Sequence, residues 1–347
     1  MFGKIVWTCP IASFLFLLMI GGRGPSHLAT QSEIIVIERK VLAENFRLHA
    51  LEVDRAGALY FGSFEEIVKL HPDGSRAFAL KASDHGLRGI VDFRVAPDGT
   101  VVIAGPASGS QGDFATNVLM VSPQGKLVRS FTLPRFSVEV VEVGDRGELF
   151  LLGAQFSEGS VRQASAPLVI YQLGVGGERL TSLEAGDVAR VGRVVSRNRR
   201  LAIRGRDLFV LDPARFRLRS FSLDSGGRVE RSLLPLPEIG TMAQRSGSLR
   251  MSADYFAVLG SGELLLAISS QDMRWSRREL KGGSWMVHRP FAHVVHLFSS
   301  EGAHVRSIPV RDLGLLKAVG RDGFLYFVQN ITTEEGTRTE VVKAALR

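Results

Sequence analysis

The sequence predicts an all-β fold: a six-bladed β-propeller whose last blade is closed by an N-terminal strand. Three observations predict it. First, a short apolar strand running into a Gly-centred turn recurs about every fifty residues, the self-similarity of a propeller or repeat array. The segments are Ile67-Val-Lys-Leu-His-Pro-Asp-Gly74, Leu119-Met-Val-Ser-Pro-Gln-Gly125, Val169-Ile-Tyr-Gln-Leu-Gly-Val-Gly-Gly177, Leu218-Arg-Ser-Phe-Ser-Leu-Asp-Ser-Gly-Gly227 and Val295-His-Leu-Phe-Ser-Ser-Glu-Gly302. Second, another turn falls between these markers: Asp54-Arg-Ala-Gly57, Pro97-Asp98-Gly99, Asp145-Arg-Gly147, Gly260-Ser-Gly262 and Arg321-Asp322-Gly323. Gly accepts positive φ and Asp hydrogen-bonds its own backbone, so both suit tight turns. Third, short β-branched, aromatic or Leu-rich runs follow these turns, and no later stretch sustains a helical period.

Two hairpins per unit make a four-stranded blade. Blade one covers about residues 48 to 80, blade two 90 to 133 and blade three 137 to 183. Blade four, about 191 to 234, lacks the Asp-x-Gly turn; its strands are expected at Arg199-Arg-Leu-Ala-Ile203 and Asp207-Leu-Phe-Val-Leu211. Blade five, about 249 to 310, carries a long insertion. Blade six starts near Leu313 and ends at Arg347, one strand short, while Glu33-Ile-Ile-Val-Ile-Glu38 precedes blade one with no partner hairpin. Pairing the two closes the ring and removes two open edges.

The repeat, seen in Val53-Asp-Arg-Ala-Gly-Ala-Leu-Tyr-Phe61 with Ile67 to Gly74, in residues 95 to 103 and in 319 to 327, resembles NHL-type six-bladed propellers and, distantly, the gluconolactonase-like group. The latter resemblance implies a Ca²⁺-type site built from a carboxylate, Asn side chains and an Asp. The asparagines here are Asn45, Asn117, Asn198 and Asn330, none in phase with a channel position.

Lys4, the apolar run Ile5 to Ile20 and the small residues that follow read as a secretory signal over residues 1–29, with residues 30–347 as a single propeller domain. An uncleaved anchor is the alternative, and it supplies the expected membrane contact only through that segment. Cys9 is the only cysteine, so the remaining chain holds no disulfide, thiolate site or Cys nucleophile. Export without disulfides points to a periplasmic, cell-envelope or extracellular location and a bacterial envelope. The formal charge is +8, but the basic residues are scattered rather than gathered in a tract, and no nucleic-acid partner is expected.

Two regions carry candidate chemistry. Inner strands line a propeller's channel, and His49, Glu139 and Asp254 each stand eight residues before the first-turn Gly of their blade, with Asp92 seven before its own. Three such groups in phase suit an acid–base set or a divalent cation; a wet channel wall is the plainer account. The blade-five insertion carries Trp275, Arg277, Arg278, Trp285, His288 and Arg289, residue types favoured as interface anchors. His288, His293 and His296 there form a spaced His set, though 288 and 293 fall on opposite faces of a strand. No elbow, P-loop or dinucleotide fingerprint occurs. The expectation is an exported, monomeric, non-catalytic propeller, without cofactor, that binds a protein, peptide or glycan through the insertion. A metal-dependent hydrolase or lactonase at the channel mouth is the alternative.

Overall fold

A computed structural model describes residues 34–44, 48–109, 115–157, 168–174, 177–185, 201–212, 216–233, 249–272, 275–280, 283–288, 292–333 and 336–347. These form six antiparallel four-stranded sheets arranged as the blades of a propeller, and one separate two-stranded sheet. The first strand, β1 (Ile34–Glu44), belongs to the last blade. Blade one is β2 (Ala50–Val53), β3 (Leu59–Gly62), β4 (Glu66–Leu70) and β5 (Arg76–Lys81). Blade two is β6 (Asp92–Val95), β7 (Val101–Pro106), β8 (Ala115–Val121) and β9 (Leu127–Pro134). Blade three is β10 (Phe136–Val143), β11 (Leu149–Gln155), β12 (Leu168–Leu173) and β13 (Arg179–Glu184). Blade four is β14 (Leu201–Arg204), β15 (Asp207–Asp212), β16 (Arg217–Ser222) and β17 (Arg228–Ser232). Blade five is β18 (Leu249–Val258), β19 (Leu264–Asp272), β22 (Ala292–Phe298) and β23 (His304–Val310), interrupted by the hairpin β20 (Trp275–Leu280) and β21 (Gly283–His288). Blade six is β24 (Leu315–Val319), β25 (Leu325–Thr333) and β26 (Gly336–Leu346), completed by β1.

The repeated turns behave as their chemistry requires. Gly57, Gly99, Gly147, Gly262 and Gly323 all take positive φ, between 81° and 96°. Asp54 Oδ1 accepts the backbone N–H groups of Ala56 and Ala58, both at 2.9 Å, and Oδ2 accepts the Tyr60 hydroxyl at 3.2 Å. Blade six repeats the device: Asp322 Oδ2 accepts the Tyr326 hydroxyl at 2.6 Å. Blade four replaces the Asp-x-Gly turn by a two-residue loop, Gly205-Arg206, with Arg204 paired to Asp207 and Gly205 at φ 57°. That shorter hairpin is the reason the repeat looks degenerate there.

Strands near the channel are apolar on both faces because a blade packs on two neighbours. Along β7, Val101 and Ile103 join the cluster facing blade one, while Val102 and Ala104 join the one facing blade three. The described residues show six such clusters, one at each blade–blade junction, including the junction of blades six and one. Phe93, Phe150, Phe256, Phe298 and Phe327 are fully buried in them; each contributes about 1.5–3 kcal/mol relative to an exposed ring. The inner strands also touch in the cycle β2, β6, β10, β14, β18, β24 and back to β2. β1 pairs antiparallel with β26, from Ile34 opposite Leu346 to Glu44 opposite Arg338. The expected closure at 33 to 38 is therefore longer, reaching Glu44; Glu33 lies outside the described residues.

Candidate functional site

The inner strands are not smooth ladders. In β10 the register passes from Val138 opposite Gly153 to Val140 opposite Leu152, leaving Glu139 as the extra residue of a β-bulge. Bulges in β18 and β24 single out Asp254 and Lys317 in the same way. In blade one His49 N–H donates to Gly62 O at 2.8 Å although Ala50 is the partner of Gly62, and in blade two Val91 and Asp92 share Ala104 likewise. A bulge re-aims a side chain, and here the results meet. His49, Asp92, Arg94, Glu139, Asp254 and Lys317 line one cavity of about 30 Å³ in the leading half of the channel. All four residues expected at the channel are thus brought together. Arg94 and Lys317 were not expected.

Arg94 organises the charges on one side. Its Nη1 lies 3.2 Å from Glu52 Oε1 and 3.0 Å from Asp92 Oδ1, and its Nε 3.4 Å from Glu142 Oε2. Glu52, Arg94 and Glu142 occupy the same position, next to last, on the inner strands of blades one, two and three. A Glu–Arg–Glu alternation between apolar neighbours was the signal available in the sequence. Asp92 Oδ2 also accepts Val141 N–H at 2.9 Å. Burial nonetheless pushes the Asp92 carboxyl above the usual range, with Arg94 opposing.

On the other side, His293 Nδ1 lies 3.7 Å from Asp254 Oδ2, and its Nε2 accepts Leu316 N–H at 3.1 Å. Val319 N–H donates to the Tyr255 hydroxyl at 2.9 Å, a second tie between blades five and six. Burial first, then Lys317 and His296, pushes the His293 pKa down to about 4. His296 Nδ1 and His304 Nε2 share the Ser307 hydroxyl at 3.0 and 2.9 Å, and burial takes His296 to about 4 as well. His293 and His296 therefore serve as neutral ties within and between blades, whereas His288 stands on β21.

Among the described residues no three His, Cys, Asp or Glu side chains sit together in a way that would hold a metal ion. The two described asparagines, Asn117 and Asn330, are elsewhere. Asn117, on β8, donates to Gly86 O at 2.9 Å and accepts the Thr132 hydroxyl at 2.6 Å. Asn330, on β25, accepts the Thr339 hydroxyl at 3.0 Å. Asn45 and Asn198 lie outside the described residues. The cavity has room for a water or two.

The blade-five insertion forms its own sheet, with Trp275 opposite His288, Arg277 opposite Met286 and Arg278 opposite Trp285. Arg289 lies outside the described residues. In an antiparallel blade the connection from second to third strand leaves from the end at which the inner strand begins. The hairpin thus departs from the end of the ring where the channel cavity lies. So does the connection between β11 and β12.

The ring, its terminal closure and the polar channel define a six-bladed β-propeller. No family model matches the chain, and no curated protein matches it. Solved structures do. A luciferin-regenerating enzyme is 11% identical, with 89% of this chain and 95% of that one covered and a TM-score of 0.53. A DUF4221 family member from Bacteroides vulgatus is 9% identical, with 90% and 98% covered and a TM-score of 0.53. The RRP9 WD40 repeats are 11% identical, with 90% and 99% covered and a TM-score of 0.50. At such identities these likenesses speak for the fold, which hosts enzymes and binding proteins alike.

Proposed function

We propose that this chain is an exported, non-catalytic propeller that holds a protein, peptide or glycan partner on the face bearing the β20–β21 hairpin. One observation carries the reading: a ring of regular four-stranded blades is interrupted, among the described residues, by a separate two-stranded sheet at the channel end. Its strands bring Trp275, Arg277, Arg278, Trp285 and His288 onto one ribbon, and Trp and Arg are the commonest anchors of binding surfaces. Against hydrolysis at the channel stand the small cavity and the ion-paired wall around Arg94. In this reading residues 1–29 are removed on export and the mature chain is a monomer of the envelope, without cofactor.

Excision of Met273 to Arg289 tests it. Ligands are first identified for the intact chain by crosslinked capture from envelope extract and by a glycan array. The excised chain is expected to lose them while its circular dichroism and melting temperature hold. The intact mass of exported protein is expected to lack residues 1–29. Retention of every ligand by the excised chain sinks the hairpin reading, and a full-length mass sinks the cleavage.

A further inference from the structure

With the blades delimited, the chain's positive charge proves uneven. The whole chain carries +8. Residues 186–232, from the end of β13 to the end of β17, hold twelve Arg, no Lys and five Asp or Glu, a net +7. Six of these arginines, Arg204, Arg206, Arg217, Arg219, Arg228 and Arg231, fall on the described residues of blade four.

The outer half of that blade shows what they do. Glu230 Oε2 lies 2.8 Å from Arg219 Nε and 3.5 Å from Arg228 Nη2, and Oε1 lies 3.1 Å from Arg217 Nη1. The register puts these groups on one face, with Arg217 opposite Ser232, Arg219 opposite Glu230 and Phe221 opposite Arg228. Arg219 is buried and also donates to Ala185 O, which fixes its guanidinium. Arg228 lies 5.9 Å from the Phe221 ring centroid. The Arg217 and Arg228 side chains are 50% and 44% exposed, so their outer N–H groups face solvent. Three guanidiniums face Glu230 and, opposite Arg217, Asp212, which leaves a local excess of one positive charge. The Arg219 hydrogen bond, then its charge, holds the Glu230 carboxyl below the usual range. The pairs of Glu230 with the half-exposed Arg217 and Arg228 add little to stability, so the fold is a poor reason for these two arginines.

We propose that this face of blade four docks a carboxylate-rich protein segment, with Arg217 and Arg228 gripping Asp or Glu side chains of the partner and Arg219 holding the site in place. The arginine fork matches a carboxylate bidentately, and this patch uses Arg throughout. Its protein carboxylate, Glu230, is an internal version of the ligand. Nucleic acid fits less well, because the aromatic ring on this face, Phe221, is buried beneath Arg228 and offers no stacking platform.

The test is fluorescence anisotropy of a labelled oligoglutamate peptide titrated with the full chain, beside a DNA duplex and inorganic polyphosphate of matched charge. Oligoglutamate is expected to bind, more weakly as salt rises, and better than the other two. Arg217→Ala with Arg228→Ala is expected to weaken it by roughly tenfold or more, as charge-paired contacts do. Arg217→Lys with Arg228→Lys, which keeps charge but not the fork, is expected to fall between. Glu230→Gln is expected to tighten binding by roughly threefold by neutralising the internal competitor; a cluster that serves only the fold predicts no gain. Melting curves confirm that each variant is folded. Binding unaltered in the double Ala variant, or no gain in Glu230→Gln, overturns the site; equal affinity for DNA or polyphosphate overturns the carboxylate assignment. The chain lacking Met273 to Arg289 is expected to bind the peptide undiminished, which separates this surface from the hairpin.

Discussion

Arg94→Met keeps a long apolar stem in the channel wall and removes the guanidinium that Glu52, Asp92 and Glu142 share. The four side chains are 7%, 12%, 13% and 5% exposed, so the charges are largely out of water. Removing one partner of a buried ion pair costs about 3–5 kcal/mol, because the other charge stays buried without it. Here three carboxylates from three blades lose it together, which places the loss at the upper end. At about 2–4 °C per kcal/mol for a large domain, the melting temperature should fall by about 6–20 °C at pH 7. The pH dependence identifies the cause. The Asp92 carboxyl already sits above the usual range, so the native state takes up its proton more readily than the unfolded state, and ionised Asp92 costs stability as pH rises. Without Arg94 that bias strengthens, and the deficit relative to the parent should shrink between pH 7 and pH 5. Adding Glu52→Gln and Glu142→Gln to the variant should recover much of the loss at pH 7. Urea and thermal denaturation at both pH values measure all three. A loss below about 1 kcal/mol, or one that does not vary with pH, would refute the idea that Arg94 electrostatically joins these blades.

Two further outcomes follow from the ties between blades. His293 and His296 are held neutral with pKa values near 4, against about 6.5 when unfolded. The unfolded chain therefore binds more protons between those values, and acidification from about pH 6.5 to 4 should remove up to about 3 kcal/mol per histidine. The pair His293→Gln, His296→Gln should flatten that slope, as read by chemical denaturation across the range. Removing residues 34–44 exposes the edge of β26, where Val341, Val342 and Ala344 are buried. The truncated chain should lose its cooperative melt and aggregate; a sharp transition with a monomeric elution volume would contradict the closure.

Much of the ring is legible because its signals are local. A glycine at positive φ, an Asp that hydrogen-bonds its own turn and a four-residue apolar run are each visible within ten letters of sequence. His49, Glu139 and Asp254 were found by counting back from the turn Gly because in those blades the irregularity falls at a constant distance from it. Lys317 was missed for the converse reason: the β24 bulge falls two residues nearer the turn, so the same count lands on Leu315. Arg94 escapes that count because it stands near the trailing end of its strand, although Glu52 and Glu142 mark the same place on either side. The histidines of blade five resemble ligands by spacing, yet Leu316 N–H and the Ser307 hydroxyl, distant in sequence from His288, decide what His293 and His296 do. Contacts of that kind are set by the packing of one blade on the next, which no window of sequence contains.

The pairing of β1 with β26 also sets an order of events. Blades one to five are each made of contiguous residues and can take shape in turn as the chain lengthens. Blade six needs Ile34 and Leu346 side by side, so its outermost strand, the first to be made, must wait for the last. Loop closure over nearly the whole chain makes that final step the slowest contact to find. Until it is found, the apolar surfaces of blades one and six have only half their neighbours, and that interval is when this protein would be most dependent on chaperones.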